Sequence, residues 1–181
     1  GQSGDITVRT DQFTMGESGF LSTTTEGRFD AGNIELEIRD LATLSGSETG
    51  IFAGTESAQA TGDGGNIRVT GPRQISLRDG ATIEANNEGT GVGGNIQLEA
   101  DVLSLDGNTT VTATTTSNQG GNITLALQDA LVLRNGSQIS ATAGLAQAGG
   151  DGGNIAIDAA EGFVVAVPEE DSDIVADAFT G

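Results

Sequence analysis

Apolar residues in this chain alternate with polar ones in short runs, at the period of a strand with one buried face rather than that of a helix. Six of these runs open on a Gly-Asx-Ile triplet: GDI at Gly4 to Ile6, then GNI ending at Ile34, Ile67, Ile96, Ile123 and Ile155. The intervals between these isoleucines are 28, 33, 29, 27 and 32 residues, a loose repeat that covers the chain. The first alternation of a repeat pairs Ile67 with Val69, Ile96 with Leu98, Ile123 with Leu125 and Ile155 with Ile157. The second pairs Ile75 with Leu77, Leu103 with Leu105, Leu131 with Leu133 and Phe163 with Val165. The third pairs Ile83 with Ala85, Val111 with Ala113, Ile139 with Ala141 and Ile174 with Ala176. DG or NG dipeptides between the second and third runs supply turn residues that tolerate positive φ. Met15 to Leu21, Leu77 to Ile83, Leu105 to Val111 and Leu133 to Ile139 all keep a spacing of six across this turn.

Three short strands per repeat of about 30 residues, joined by tight turns, predict one coil of a parallel β-helix. Strands then pair between coils, and equivalent residues stack about 4.8 Å apart. The whole chain, 1–181, reads as one all-β solenoid of about six coils, beginning near residues 4, 32, 65, 94, 121 and 153. Inward positions form columns of Ile, Leu and Val, with Ala where the third strand meets a narrower interior. The same stacking aligns Asn33, Asn66, Asn95, Asn122 and Asn154 as a structural amide ladder, each preceded by glycine at its corner. Asp5 is expected to break that ladder at its first rung. Insertions collect between the third strand and the next triplet, as in Gly54 to Gly64 and Ala143 to Gly153. Those corners are expected to project as loops on a contact face.

Composition narrows the function. The chain has 26 acidic residues against 7 Arg, a formal net charge of −19, and no Lys, His, Cys, Trp or Tyr. That balance disfavours nucleic acid and an anionic membrane surface. Metal sites built on Cys or His, Ser-His or Cys-His catalysis and disulfides are excluded. No apolar run is long enough to insert into a membrane.

The pattern GGNIxLxA…LxLxxGxxIxAxT, with GQxGxI loops and the ending DSDIVADAF, resembles the stalk repeats of filamentous-haemagglutinin-type adhesins. It is most similar to the cyanobacterial-type versions of these two-partner-secretion exoproteins, and the likeness covers all six repeats. The resemblance implies a right-handed β-helix, export to the cell surface or beyond, and a structural or adhesive role. Cell-surface or matrix glycans are the partners it suggests. The secretion domain of that family is not in this sequence, which resembles a stalk segment or a processed product.

Other motifs weigh less. GDGG at Gly62 to Gly65 and GGDGG at Gly149 to Gly153 resemble calcium-binding nonapeptides, but each stands alone rather than in tandem, so both read as turns. No cofactor is expected, and calcium is expected only as a diffuse counterion. The threonines at Thr23 to Thr25, Thr109, Thr110, Thr112 and Thr114 to Thr116 form no regular array and read as β-formers on a solvated face. A polysaccharide lyase or hydrolase is the remote enzyme alternative. Its carboxylates would have to converge in a groove, whereas Glu35 with Glu37 and Asp171 with Asp173 alternate on one exposed face. Arg68, Arg73 and Arg78 lack an acidic cluster, and no catalytic residue is identified.

Two non-catalytic classes remain, an adhesive rod and a self-assembling fibre subunit. Joined end to start, the chain reads ADAFTG-GQSGDITV, of the same form as the internal ATTTSNQGGNITL. The distance from Ile174 across that join to Ile6 is 13 residues, like two of the internal gaps. Both end coils are therefore expected to pair with flanking coils or with other copies.

Overall fold

A computed structural model describes residues 3–116, 119–144 and 150–179. Expectations that fall on residues 1–2, 117–118, 145–149 and 180–181, Gly149 among them, lie outside that range. The chain winds into a parallel β-solenoid of six rungs, with five full turns between the first and the last. One sheet runs through β1 (Ile6–Gly16), β3 (Ile34–Ser45), β5 and β6 (Ile67–Thr70 and Gln74–Arg78), β8 (Ile96–Asp106), β10 (Ile123–Arg134), and β12 and β13 (Ile155–Asp158 and Phe163–Ala166). The second stacks β2 (Phe20–Ser22), β4 (Gly50–Phe52), β7 (Thr82–Glu84), β9 (Thr110–Thr112), β11 (Gln138–Ser140) and β14 (Asp173–Val175). All pairings are parallel and join residues one repeat apart, such as Ile96 with Ile123 and Ile83 with Val111.

In four rungs the first two predicted strands are one continuous bent strand. The bend is a register shift, between Thr10 and Gln12 in β1 and between Leu127 and Ala130 in β10. Only two rungs separate them. In the third, Gly71 (φ +92°) and Pro72 interrupt pairing, since proline cannot donate to the rung above. In the sixth, a turn closed by the Gly162 N–H on the Ala159 carbonyl does so.

The interior is a set of apolar columns. Ile34, Ile67, Ile96 and Ile123 form one, Leu44, Leu77, Leu105 and Leu133 another, and Ile51, Ile83, Val111 and Ile139 a third, all buried. Ala53, Ala85, Ala113 and Ala141 mark the narrow side. There the backbone crosses the coil: the N–H of Gly94, Gly121 and Gly153 donates to the carbonyl of Ala85, Ala113 and Ala141 respectively. A larger residue has no room in that column.

The last rung corrects the expected register by one residue. Leu131 pairs with Val164 and Leu133 with Ala166, so these two point inward while Phe163 and Val165 face outward. The turn through Ala159 to Gly162 makes the corner one residue longer than in the rung above. The inward Val164 is still 47% exposed and Ile174 37%, because a terminal rung has a neighbour on one side only. Between the strands, Asp79–Gly80 and Asn135–Gly136 take positive φ at both residues, as the DG and NG dipeptides predict, whereas beside Asp106–Gly107 the positive-φ pair is Gly107–Asn108, one residue on.

A 3-10 turn, Pro168–Glu170, follows β13 and brings Glu170 onto Arg134 with two hydrogen bonds of 2.6 Å. These bonds, helped by the Asn135 N–H, hold the Glu170 carboxyl at about 2, below its ordinary 4.5. A depressed folded-state value means the pair's stabilisation is present above about pH 4.5 and is lost as the pH falls towards 2. Urea melts at pH 6 and pH 3 should therefore show a smaller acid loss for Glu170→Gln than for the parent chain. Equal losses would show that the pair contributes nothing.

Candidate functional site

The Gly-Asn-Ile corner is built the same way in every coil. The backbone N–H and the Nδ2 of Asn66 both donate to Oδ1 of Asn33, at 3.0 and 2.9 Å. Asn95 does the same to Asn66, Asn122 to Asn95, and Asn154 to Asn122, at 2.8–3.0 Å. One amide oxygen per coil thus satisfies two donors from the next coil, where a tight turn leaves a backbone N–H without a strand partner. Asp5 does not break this ladder. Its Oδ1 accepts from the Asn33 N–H at 2.7 Å and from Nδ2 at 3.2 Å, so a carboxylate ends the row as an acceptor.

The insertion corner at Gly54 to Gly64 does not project as a separate loop; the other, Ala143 to Gly153, lies partly outside the described residues. Ala60 is fully buried between coils; its carbonyl accepts from the N–H of Thr90, and Thr61 donates to Gly27. Asp30 accepts from the Asp63 N–H at 2.9 Å and Asp63 from the Val92 N–H at 2.8 Å, a second short ladder. GDGG at Gly62 to Gly65 is therefore a stacked turn whose aspartate binds backbone. The signal was available: Asp30, Asp63 and Asp151 all stand four residues before the triplet isoleucine. Inside the corner, buried Asn87 accepts from Thr55 Oγ1 and the Gly89 N–H and donates to the Gly62 and Val92 carbonyls. What remains exposed on this side is a strip that includes Glu56, Gln59 and Glu88.

Several threonines read as solvated are interior. Thr23, Thr109 and Thr115 are buried; Thr23 Oγ1 donates to the Gly32 carbonyl and Thr109 Oγ1 to Ser137 Oγ. A β-branched residue fits these corner positions because its methyl packs and its hydroxyl finds a partner. Thr114 keeps the outward reading, bonded to Asn86 Oδ1.

On the outer face of the long sheet the arginines pair across rungs. Arg9 holds Glu37 through both Nε and Nη2, Arg39 meets Asp11, Arg68 lies 4.0 Å from Glu35, and Arg73 pairs with Asp40. Glu35 and Glu37 are thus bound in exposed ion pairs rather than free charge, and each such pair adds little stability alone. Arg78 stands beside Asp106 across the rung. Asp171 takes a positive-φ turn position and Asp173 an exposed strand end; neither pairs with the other. The carboxylates gather instead at the bend, where a shallow groove of about 560 Å³ is lined by Glu99, Asp101, Asp129, Asp158 and Glu161. No arginine lines it. Among the described residues no group of three or more Asp, Glu, His or Cys is placed to hold a metal ion.

On the shorter sheet Phe20 and Phe52 stack edge to face at 6.5 Å, with Glu84 beneath Phe52 on the next rung. Burial pushes the Glu84 carboxyl up, against hydrogen bonds from Thr82 and Asn86. Among the described residues no helix is long and apolar enough to cross a membrane. The fold defines the chain as a parallel β-solenoid repeat protein. Comparison with protein families, with curated proteins and with solved structures found no match.

Proposed function

We propose that this chain is a non-catalytic structural and adhesive rod segment of a secreted or cell-surface protein. The observation that carries the reading is the unbroken apolar core through six rungs, whose end rungs still present inward side chains. Ile6 and Val8 at one end, and Val164 and Ile174 at the other, face the rod axis without a covering rung. Exposed solenoid ends of this kind call for a cover, either a cap or further rungs, and further rungs are the partners we propose. The carboxylates paired with arginine on the outer face support a surface role, and the group lining the groove at the bend is the place where the alternative, hydrolysis, is tested. The resemblance of the repeat to haemagglutinin-type stalks points to export and to glycan contact along the insertion side.

Beads carrying the chain should be retained on a surface coated with cell-surface or matrix glycans. Retention should fall when Glu56, Gln59 and Glu88 are together replaced by Ala, with circular dichroism unchanged. No retention of the parent chain would overturn the adhesive reading. Release of reducing ends or unsaturated products from a polysaccharide would overturn the non-catalytic one.

A further inference from the structure

The two ends of the corner ladder differ in chemistry. Each ladder Asn donates Nδ2 towards the preceding coil and offers Oδ1 to the following one. Asn154 therefore presents Oδ1 to whatever rung comes after it. Asp5, at the equivalent place in the first rung, uses Oδ1 for Asn33 and turns its second carboxylate oxygen where an Asn would hold its amide group. An ionised carboxylate has no donor to offer there.

The remaining contacts would suit a copy stacked end to end. Ile155, Ile157 and Ile174 of the last rung lie over the same columns as Ile6, Val8 and Leu21 of the first. The join would also keep an internal spacing. Its discordant point is the corner, where the Asn154 oxygen could still accept the Asp5 backbone N–H but, in place of an Nδ2 donor, would meet the second carboxylate oxygen, acceptor against acceptor. Arg9, the cation of the first strand, is already held by Glu37.

We propose that Asp5 selects the rung that precedes it: the neighbour presents a hydrogen-bond donor at this corner, a hydroxyl or cationic side chain, and the chain's own last rung is rejected. Whatever segment lies before Gly4, the first face is thus matched to a different coil and not to a second copy. This bears on assembly only and holds whether or not the rod is adhesive.

The test uses the 181-residue chain in sedimentation velocity over a range of concentrations at moderate salt. Asp5→Asn restores the donor and should raise the end-to-end association constant roughly tenfold or more, the effect of repairing one mismatched hydrogen bond. Glu17→Gln removes the same charge from the same rung outside the ladder and should leave the constant within about twofold. An Asp5→Asn constant equal to that of the parent chain would overturn the proposal. So would an equal rise in Glu17→Gln, which would make net charge the cause, or a parent chain that already forms filaments as readily as Asp5→Asn.

Discussion

Gly94→Ala should abolish the solenoid at temperatures where the parent chain is folded. A Cβ at this position would lie 1.8 Å from the Gly65 carbonyl oxygen and 2.8 Å from its carbon. Both atoms belong to the backbone of the rung above, which is fixed by the strand that follows it. On the other side the Cβ would meet Ala85 Cβ at 3.1 Å, so the coil cannot yield inwards. The glycine is required by close approach of two backbones and not by its φ. Relief would need the rungs to part, which breaks the hydrogen bonds from Ile67 and Ile96 onwards. A loss of about 4 kcal/mol or more is expected, a fall of roughly 10 °C or more in melting temperature. Gly27→Ala, whose Cβ would find its nearest neighbour at 4.0 Å, should move it by about 1 °C. Thermal melts of the two variants that coincide would remove the close-approach argument.

A comparable loss is expected from Ile96→Asp. Ile96 is 1% exposed and sits in the middle of its column, between Ile67 and Ile123. A carboxylate there would have neither a cation nor a donor within the apolar interior, at a cost of about 4 kcal/mol or more. Gln97→Asp changes the next residue on the same strand, but its side chain is exposed and stands between Arg68 and Thr124. It should cost under about 1 kcal/mol. Denaturant midpoints measured on both variants separate the two faces of β8, and similar midpoints would contradict the register.

Much of the fold was legible because a stacked coil repeats its constraints. In the second to fifth rungs the columns through Ile67, Ile75 and Ile83 fall where alternation placed them. Glycine before each ladder Asn marked the corner at which backbones approach. Legibility failed where one coil departs from its neighbours. Phe163 and Val165 alternate as convincingly as the true inward pair, Val164 and Ala166, and only the extra residue in the preceding turn decides between them. Thr23 and Thr109 looked solvated since threonine is equally at home on an outer strand; their burial goes with a carbonyl and a hydroxyl partner that the pattern of one strand does not show. Asp5 looked like a break because asparagine was read as a residue type rather than as two roles. A ladder's first member needs only to accept, and a carboxylate does that well. The corner at Gly54 to Gly64 appeared free because corner lengths differ, yet the stacking of Ala60 against Thr90 absorbs the difference.

The hydrogen bonds between rungs lie along the rod, and this decides how it would answer a pull on its ends. Force applied along the axis loads one rung interface at a time, by peeling, rather than shearing many bonds together. Each interface that opens releases a single coil of 27 to 33 residues, which reaches roughly 100 Å when drawn out. The same coil occupies about 4.8 Å of the folded rod. Such a rod works as a reel: it lengthens about twentyfold in successive, nearly equal steps, so that a load is spread over distance before any attachment at its ends has to break.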